Sequence, residues 1–175
     1  TIILEVSNFE STGNLSSAGD LLITATSITN SGKIKAQNGE LETTEANILF
    51  GENSENTFTG KLVVTTATDF ENKGTIIASE FEVNGTGVFT NEGTIASTSG
   101  DVKIKSASFI NGVEKEIFAK NMSIDSGTVT NAGNLKATGD FLVNATGDFI
   151  SQGKVEIGSE LNIKSQNCTV ENEIS

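Results

Sequence analysis

Along this chain, apolar and polar residues alternate one by one in short runs, and the alternation returns about every 20 residues. A large apolar residue opens each return: Phe9, Ile28, Ile48, Phe70, Phe89, Phe109, Val129, Phe149 and Val170, at steps of 19, 20, 22, 19, 20, 20, 20 and 21. A second apolar column reads Leu15, Ile34, Phe58, Ile76, Ile95, Ile117, Leu135 and Val155. A third reads Leu4, Leu21, Leu41, Leu62, Phe81, Val102, Met122, Phe141 and Leu161. The fourth is Val6, Ile23, Val64, Val83, Ile104, Ile124, Val143 and Ile163, with Thr43 as its polar member. Within a run, Phe141, Val143 and Ala145 are separated by Leu142 and Asn144, and Ile104 sits between Lys103 and Lys105. Period-two alternation sends one set of side chains inward and the other outward, the signature of a strand. Gly, Asn, Asp, Ser and Thr separate the runs as turn residues do.

A meander of hairpins also uses short alternating strands, but it gives no reason for the same residue to recur every 20 positions. Successive turns of a solenoid do, because equivalent residues lie above one another about 4.8 Å apart and like stacks on like. The pattern therefore predicts an all-β, right-handed parallel β-helix with about 20 residues per coil and roughly eight to nine coils. Handedness here follows the general rule for parallel crossovers. Residues 1–175 read as a single repeat domain and as a fragment of a longer array. No coil stands alone, since each completes its sheets only against its neighbours.

Composition narrows this further. The chain has no Pro, His, Trp, Tyr or Arg. Absence of Pro suits a backbone whose N–H groups are needed by ladders. The 18 glycines suit tight turns with positive φ. A net charge of −12 excludes nucleic acid and anionic membrane as natural partners. The lone Cys168 allows no internal disulfide and is expected as a small buried hydrophobe. No stretch is long enough to cross a membrane as a helix.

Catalytic equipment is scarce. Without His there is no Ser-His-Asp or Cys-His arrangement and no ordinary zinc site, so no cofactor is expected. Three groups of polar residues stand out. Asn30, Asn72, Asn91, Asn111, Asn131 and Asn172 follow the opening apolar residue by two positions and suit a stacked amide ladder. Asp20, Glu40, Glu80, Asp101, Asp140 and Glu160 precede the third column. They suit turn positions that accept backbone N–H bonds, with calcium binding or a glycosidase carboxylate pair as the alternatives. Two segments interrupt the period, at 51–57 (with Glu52, Asn53, Glu55 and Asn56) and 112–116 (with Glu114 and Lys115). These are expected to be surface loops and candidate contact sites.

Units such as Phe89-Thr-Asn-Glu-Gly-Thr-Ile-Ala, and the run from Val129 through Asn131, Gly133 and Leu135 to Phe141 and Val143, resemble filamentous haemagglutinin repeats. Such repeats occur in large exoproteins of two-partner secretion systems, among them haemagglutinin-like adhesins and contact-dependent inhibition toxins. The resemblance covers essentially the whole chain. It implies a virulence-associated adhesin shaft or toxin stalk, secreted or held on the Gram-negative surface. The implied partners are neighbouring coils of the parent protein, an outer-membrane transporter and a surface receptor or glycan. The leading functional reading is accordingly a structural and adhesive segment and not an enzyme. Two others stand beside it. One is a filament subunit that self-associates end to end; the other is a carbohydrate-active β-helix enzyme.

Overall fold

A computed structural model describes residues 1–175. It has 22 strands and no helix, and the strands pair in parallel. The chain winds into a β-solenoid of about eight turns with three faces. By position in the stack, coils 1 to 9 begin at Ile2, Leu21, Gly39, Leu62, Phe81, Val102, Met122, Phe141 and Leu161.

The third face is the simplest. Its eight strands form a separate sheet, from Asn14–Ser16 and Lys33–Ala36 up to Asn134–Ala137 and Lys154–Ile157. The first and second faces join into one 14-stranded sheet, because some strands run across the corner between them. Ile2–Ser11, Leu21–Asn30, Asp101–Asn111 and Asn121–Asn131 are continuous. In these coils the step from the last inward position of the first face to the first of the second is three positions, as from Ala25 to Ile28. Where that step is four or five, a turn divides the strand, as between Gly39–Thr43 and Ile48–Phe50.

The inward side chains merge into one core of 34 buried residues that runs the length of the rod. Phe70 and Phe89 stack at 4.8 Å, while Phe50 meets Phe70 edge-on at 5.5 Å and Phe109 tilts against Phe89 at 5.4 Å. Offset and edge-on aromatic contacts of this kind add to plain area burial. Outward residues form cross-strand pairs, such as Lys33 with Glu55 at 2.8 Å.

The structure corrects the expected register in coils 1, 3 and 9. Leu4 and Leu41 share a column with Ile23 and Val64, not with Leu21. Val6 stacks on Ala25, and Thr43 lies between Ala25 and Thr66. Gly39 occupies the Leu21 column, and the Phe58 ring fills its vacant space, since a Cβ on Gly39 would lie 2.3 Å from that ring. Phe58 itself stacks on Ala36, leaving Asn56 between Ile34 and Ile76. At the other end Cys168, not Val170, lies over Phe149. Cys168 is exposed, because no further coil covers that inward position.

A second correction concerns the glycines, none of which has positive φ. Their recurrence comes from close approach of backbones. A Cβ on Gly93 would lie 2.0 Å from the carbonyl oxygen of Gly74, and one on Gly153 would lie 1.9 Å from that of Gly133. Glycines at this corner form a seam where successive coils touch main chain to main chain.

Candidate functional site

Each ladder asparagine ends a strand of the second face and turns its amide into the core. Asn30, Asn72, Asn91, Asn111 and Asn131 are all fully buried, so every polar atom there needs a partner. Locally the x-Gly that follows supplies it: Asn30 Nδ2 donates to the Gly32 carbonyl at 3.2 Å, and the Gly32 N–H returns a bond to Asn30 Oδ1 at 3.1 Å. Along the rod, Nδ2 of Asn72, Asn91 and Asn111 each donates to Oδ1 of the asparagine in the next coil at 2.9 Å. Asn131 hands on to Ser151 Oγ at 3.2 Å. All these amides point the same way.

Coil 3 breaks the ladder. Phe50 stands in the asparagine column between Asn30 and Asn72. Asn30 donates instead to Asn56 Oδ1 at 2.9 Å, across the corner. Asn56 donates in turn to Ser54 Oγ and to the Thr75 carbonyl, both at 3.2 Å. Asn72 Oδ1, which faces Phe50, has no hydrogen-bond partner. Asn56 is thus a buried ladder member and not an exposed contact residue, a correction that follows from its inward position over Ile34. Asn172 lies outside the ladder. In coil 9 the strand is shifted by two, so Val170 sits over Ser151 and Asn172 is exposed beyond it. The opposed charges of Lys33 and Glu55 could have revealed Asn56's register from sequence, since directly opposite pairs prefer opposite sign.

The acidic row is also rearranged. Asp20, Asn38, Lys61, Glu80, Asp101, Asn121, Asp140 and Glu160 line one edge, and Asn38 holds the place expected for Glu40. Glu40 lies on the outer side of the first face, between Leu22 and Val63, because coil 3 is displaced by two residues. Along the edge, side-chain oxygens accept the N–H of the next coil. Asn38 Oδ1 takes Lys61 N–H at 3.0 Å, Asn121 Oδ1 takes Asp140 N–H at 3.0 Å, and Asp140 Oδ1 takes Glu160 N–H at 3.2 Å. Asn38 and Asn121 also donate to Asp20 and Asp101 at 2.8 and 2.9 Å. No three Asp, Glu, Cys or His side chains gather as a metal site would require.

Both loops leave the rod at the same corner, between the second and third faces. Gly51 and Gly112 each bond back to the coil before, and Ser54 and Lys115 close the turns with bonds to Gly51 and Gly112 at 2.9 and 3.2 Å. Glu52, Asn53, Val113 and Glu114 are exposed at the tips. Glu114 alone among non-glycine residues has positive φ, 60°. Glu55 has already rejoined the third face, where it pairs with Lys33.

Ionisation is shifted at two outer ion-pair clusters. A hydrogen bond from Lys61, then one from Asn84, holds the Glu82 carboxyl below the usual glutamate range. Glu156 is lowered first by Lys154 and then by Lys136, and the bond to Glu156 raises Lys154. A groove of about 690 Å³ crosses the second face, with Thr29, Leu49, Glu71 and Thr90 on its floor and Glu45 to Asn47 beside it.

The haemagglutinin repeat family matches residues 6–74, 49–139 and 118–167. The chain belongs to this family. It is a structural, adhesin-type repeat, and the matched residues include the ladder from Asn30 to Ser151 and both loops, while Asn172 falls outside. Curated proteins and solved structures yield no match. What this haemagglutinin repeat region repeats is therefore its core: the amide ladder, the glycine seam and the apolar columns.

Proposed function

We propose that this repeat region is a shaft segment of a large exoprotein at the bacterial surface or in the medium, holding binding or toxin regions away from the cell. The observation that carries this is the single core running unbroken through every coil. Polar side chains are occupied in building the rod: the buried amides stack, and on the edge Asn38, Asn121 and Asp140 accept backbone N–H bonds of the next coil. The outward loops Gly51–Ser54 and Gly112–Lys115 are the parts free to meet a receptor or glycan, since insertions on one edge of a solenoid carry its contacts.

The test is to fractionate the source cells and blot with an antibody raised to this segment. A polypeptide far above 18.3 kDa at the surface or in the medium is the expected result. An intracellular polypeptide of about the segment's own size overturns the proposal.

A further inference from the structure

The break in the amide ladder has a mechanical meaning. At the planes between coils 4 and 5, 5 and 6, and 6 and 7, an asparagine Nδ2 binds the next asparagine's Oδ1 at 2.9 Å inside the core. Between coils 2 and 3 the Asn30–Asn56 bond does the same. Between coils 3 and 4, Asn72 stacks in register on Phe50 instead of an asparagine, and its Oδ1 is buried without a partner. Parting any of those four planes breaks an amide–amide bond; parting this one lets water reach an oxygen that had lost its hydrogen bond on folding.

Two other features bear on the same plane. The corner turns on its two sides differ in length, so the Asp69 N–H reaches Asn47 Oδ1 only at 3.4 Å, although the Ile48 N–H still donates to the Asp69 carbonyl at 3.0 Å. Against that, the Thr43–Thr66 hydroxyl bond at 2.9 Å, the Asn56–Thr75 bond at 3.2 Å and the Phe50–Phe70 contact cross it. Aromatic contacts of similar distance also join coils 4, 5 and 6, so the distinguishing feature is an orphaned oxygen inside the amide column together with the missing amide–amide bond. Asn134 Oδ1, also without a partner, lies outside that column at the start of a third-face strand, and the plane between coils 6 and 7 keeps its Asn111–Asn131 bond.

We propose that the plane between coils 3 and 4 is a built-in fault, where the rod opens first into two blocks that each stay folded. Local opening of this kind is read by amide hydrogen exchange. The fair control is the plane between coils 6 and 7. It stands three coils from one end of this chain, as the fault stands three from the other, so fraying from the ends affects both alike.

The measurement is exchange by mass spectrometry on the full chain. It compares Lys73 and Thr75, whose N–H groups bond to Phe50 and Ser54, with Ala132 and Asn134, whose N–H groups bond to Asn111 and Lys115. Exchange about ten-fold faster at Lys73 and Thr75 is expected. The double variant Phe50→Asn/Asn56→Ile, which restores the regular residue in both columns, should remove the difference. Equal or slower exchange at Lys73 and Thr75 in the unaltered chain overturns the proposal, and this comparison stands whether or not the variant folds. A difference that survives unchanged in a folded double variant overturns it as well.

Discussion

Coils 3 and 6 carry the same insertion at the same corner, yet their cores differ. Coil 6 keeps the regular inward set of Val102, Ile104, Phe109, Asn111 and Ile117 around its loop. Asn111 spans the loop base by donating to the Lys115 carbonyl at 3.3 Å while still bonding Asn131. Coil 3 places Gly39, Phe50, Asn56 and Phe58 where its neighbours have Leu, Asn, Ile and Ala. The large and small residues have changed places so that the cross-section remains filled. A loop at this corner therefore does not require a rearranged core. Volume can be redistributed around a coil, but a hydrogen bond cannot be moved as freely, and Asn72 is left with the difference.

The comparison can be broken most violently in coil 6. Ile104→Asp puts an unpaired charge between Val83 and Ile124. It should cost more than about 4 kcal/mol and unfold several coils, seen as loss of the β-sheet circular dichroism signal at ordinary temperature. A parent-like melting curve would show that Ile104 does not face inward.

Gly93→Ala comes next, at about 3 kcal/mol, because its Cβ would overlap the Gly74 carbonyl oxygen and the backbone has little room to move. Its control is Gly13→Ala, where the added Cβ meets nothing within 4 Å; denaturant midpoints should separate the two clearly. Asn111→Ala should cost about 2 kcal/mol, because it leaves the Asn91 amide and Asn131 Oδ1 without their shared partner. It makes in coil 6 the defect that coil 3 already has, so it should also raise local hydrogen exchange at Ala132. No change at Ala132 would separate the ladder from local stability.

The smallest effect is electrostatic. Glu82's folded pKa lies below the ordinary value of 4.5, so near that pH the unfolded chain binds more protons than the folded one. Its contribution is present above pH 4.5 and is lost as pH falls through the lower folded value. Acid titration of the melting temperature should thus be slightly shallower in Glu82→Gln than in the parent. An identical slope would mean the Lys61–Glu82 pair contributes nothing, as many exposed pairs do.

How much of this was legible in the sequence depends on what period-two alternation encodes. It fixes which side of a strand faces the core, and Leu41, Thr43 and Phe58 do face inward. It does not fix which residue stacks on which, because a slip of two restores the same alternation. Gly39 offers no side chain to mark its column, so alternation alone puts Leu41 and Glu40 two places from where they stack. In coil 9 the Val170-x-Asn172 spacing imitates the ladder motif, although the backbone places Cys168 over Phe149. Glycine recurrence was visible while its cause was not, since contact between backbones of adjacent coils leaves no local trace. The ladder from Asn72 to Asn131 could be read directly, because there the coils keep nearly constant length.

Because the coils stack in register, each advances the rod by only about 4.8 Å while using about 20 residues. A helix of the same 20 residues would reach about 30 Å. This architecture is thus a poor way to gain distance and a good way to gain girth. Its length is counted in whole coils, so duplicating one unit shifts everything beyond it by a fixed increment and leaves the chemistry of both ends unchanged.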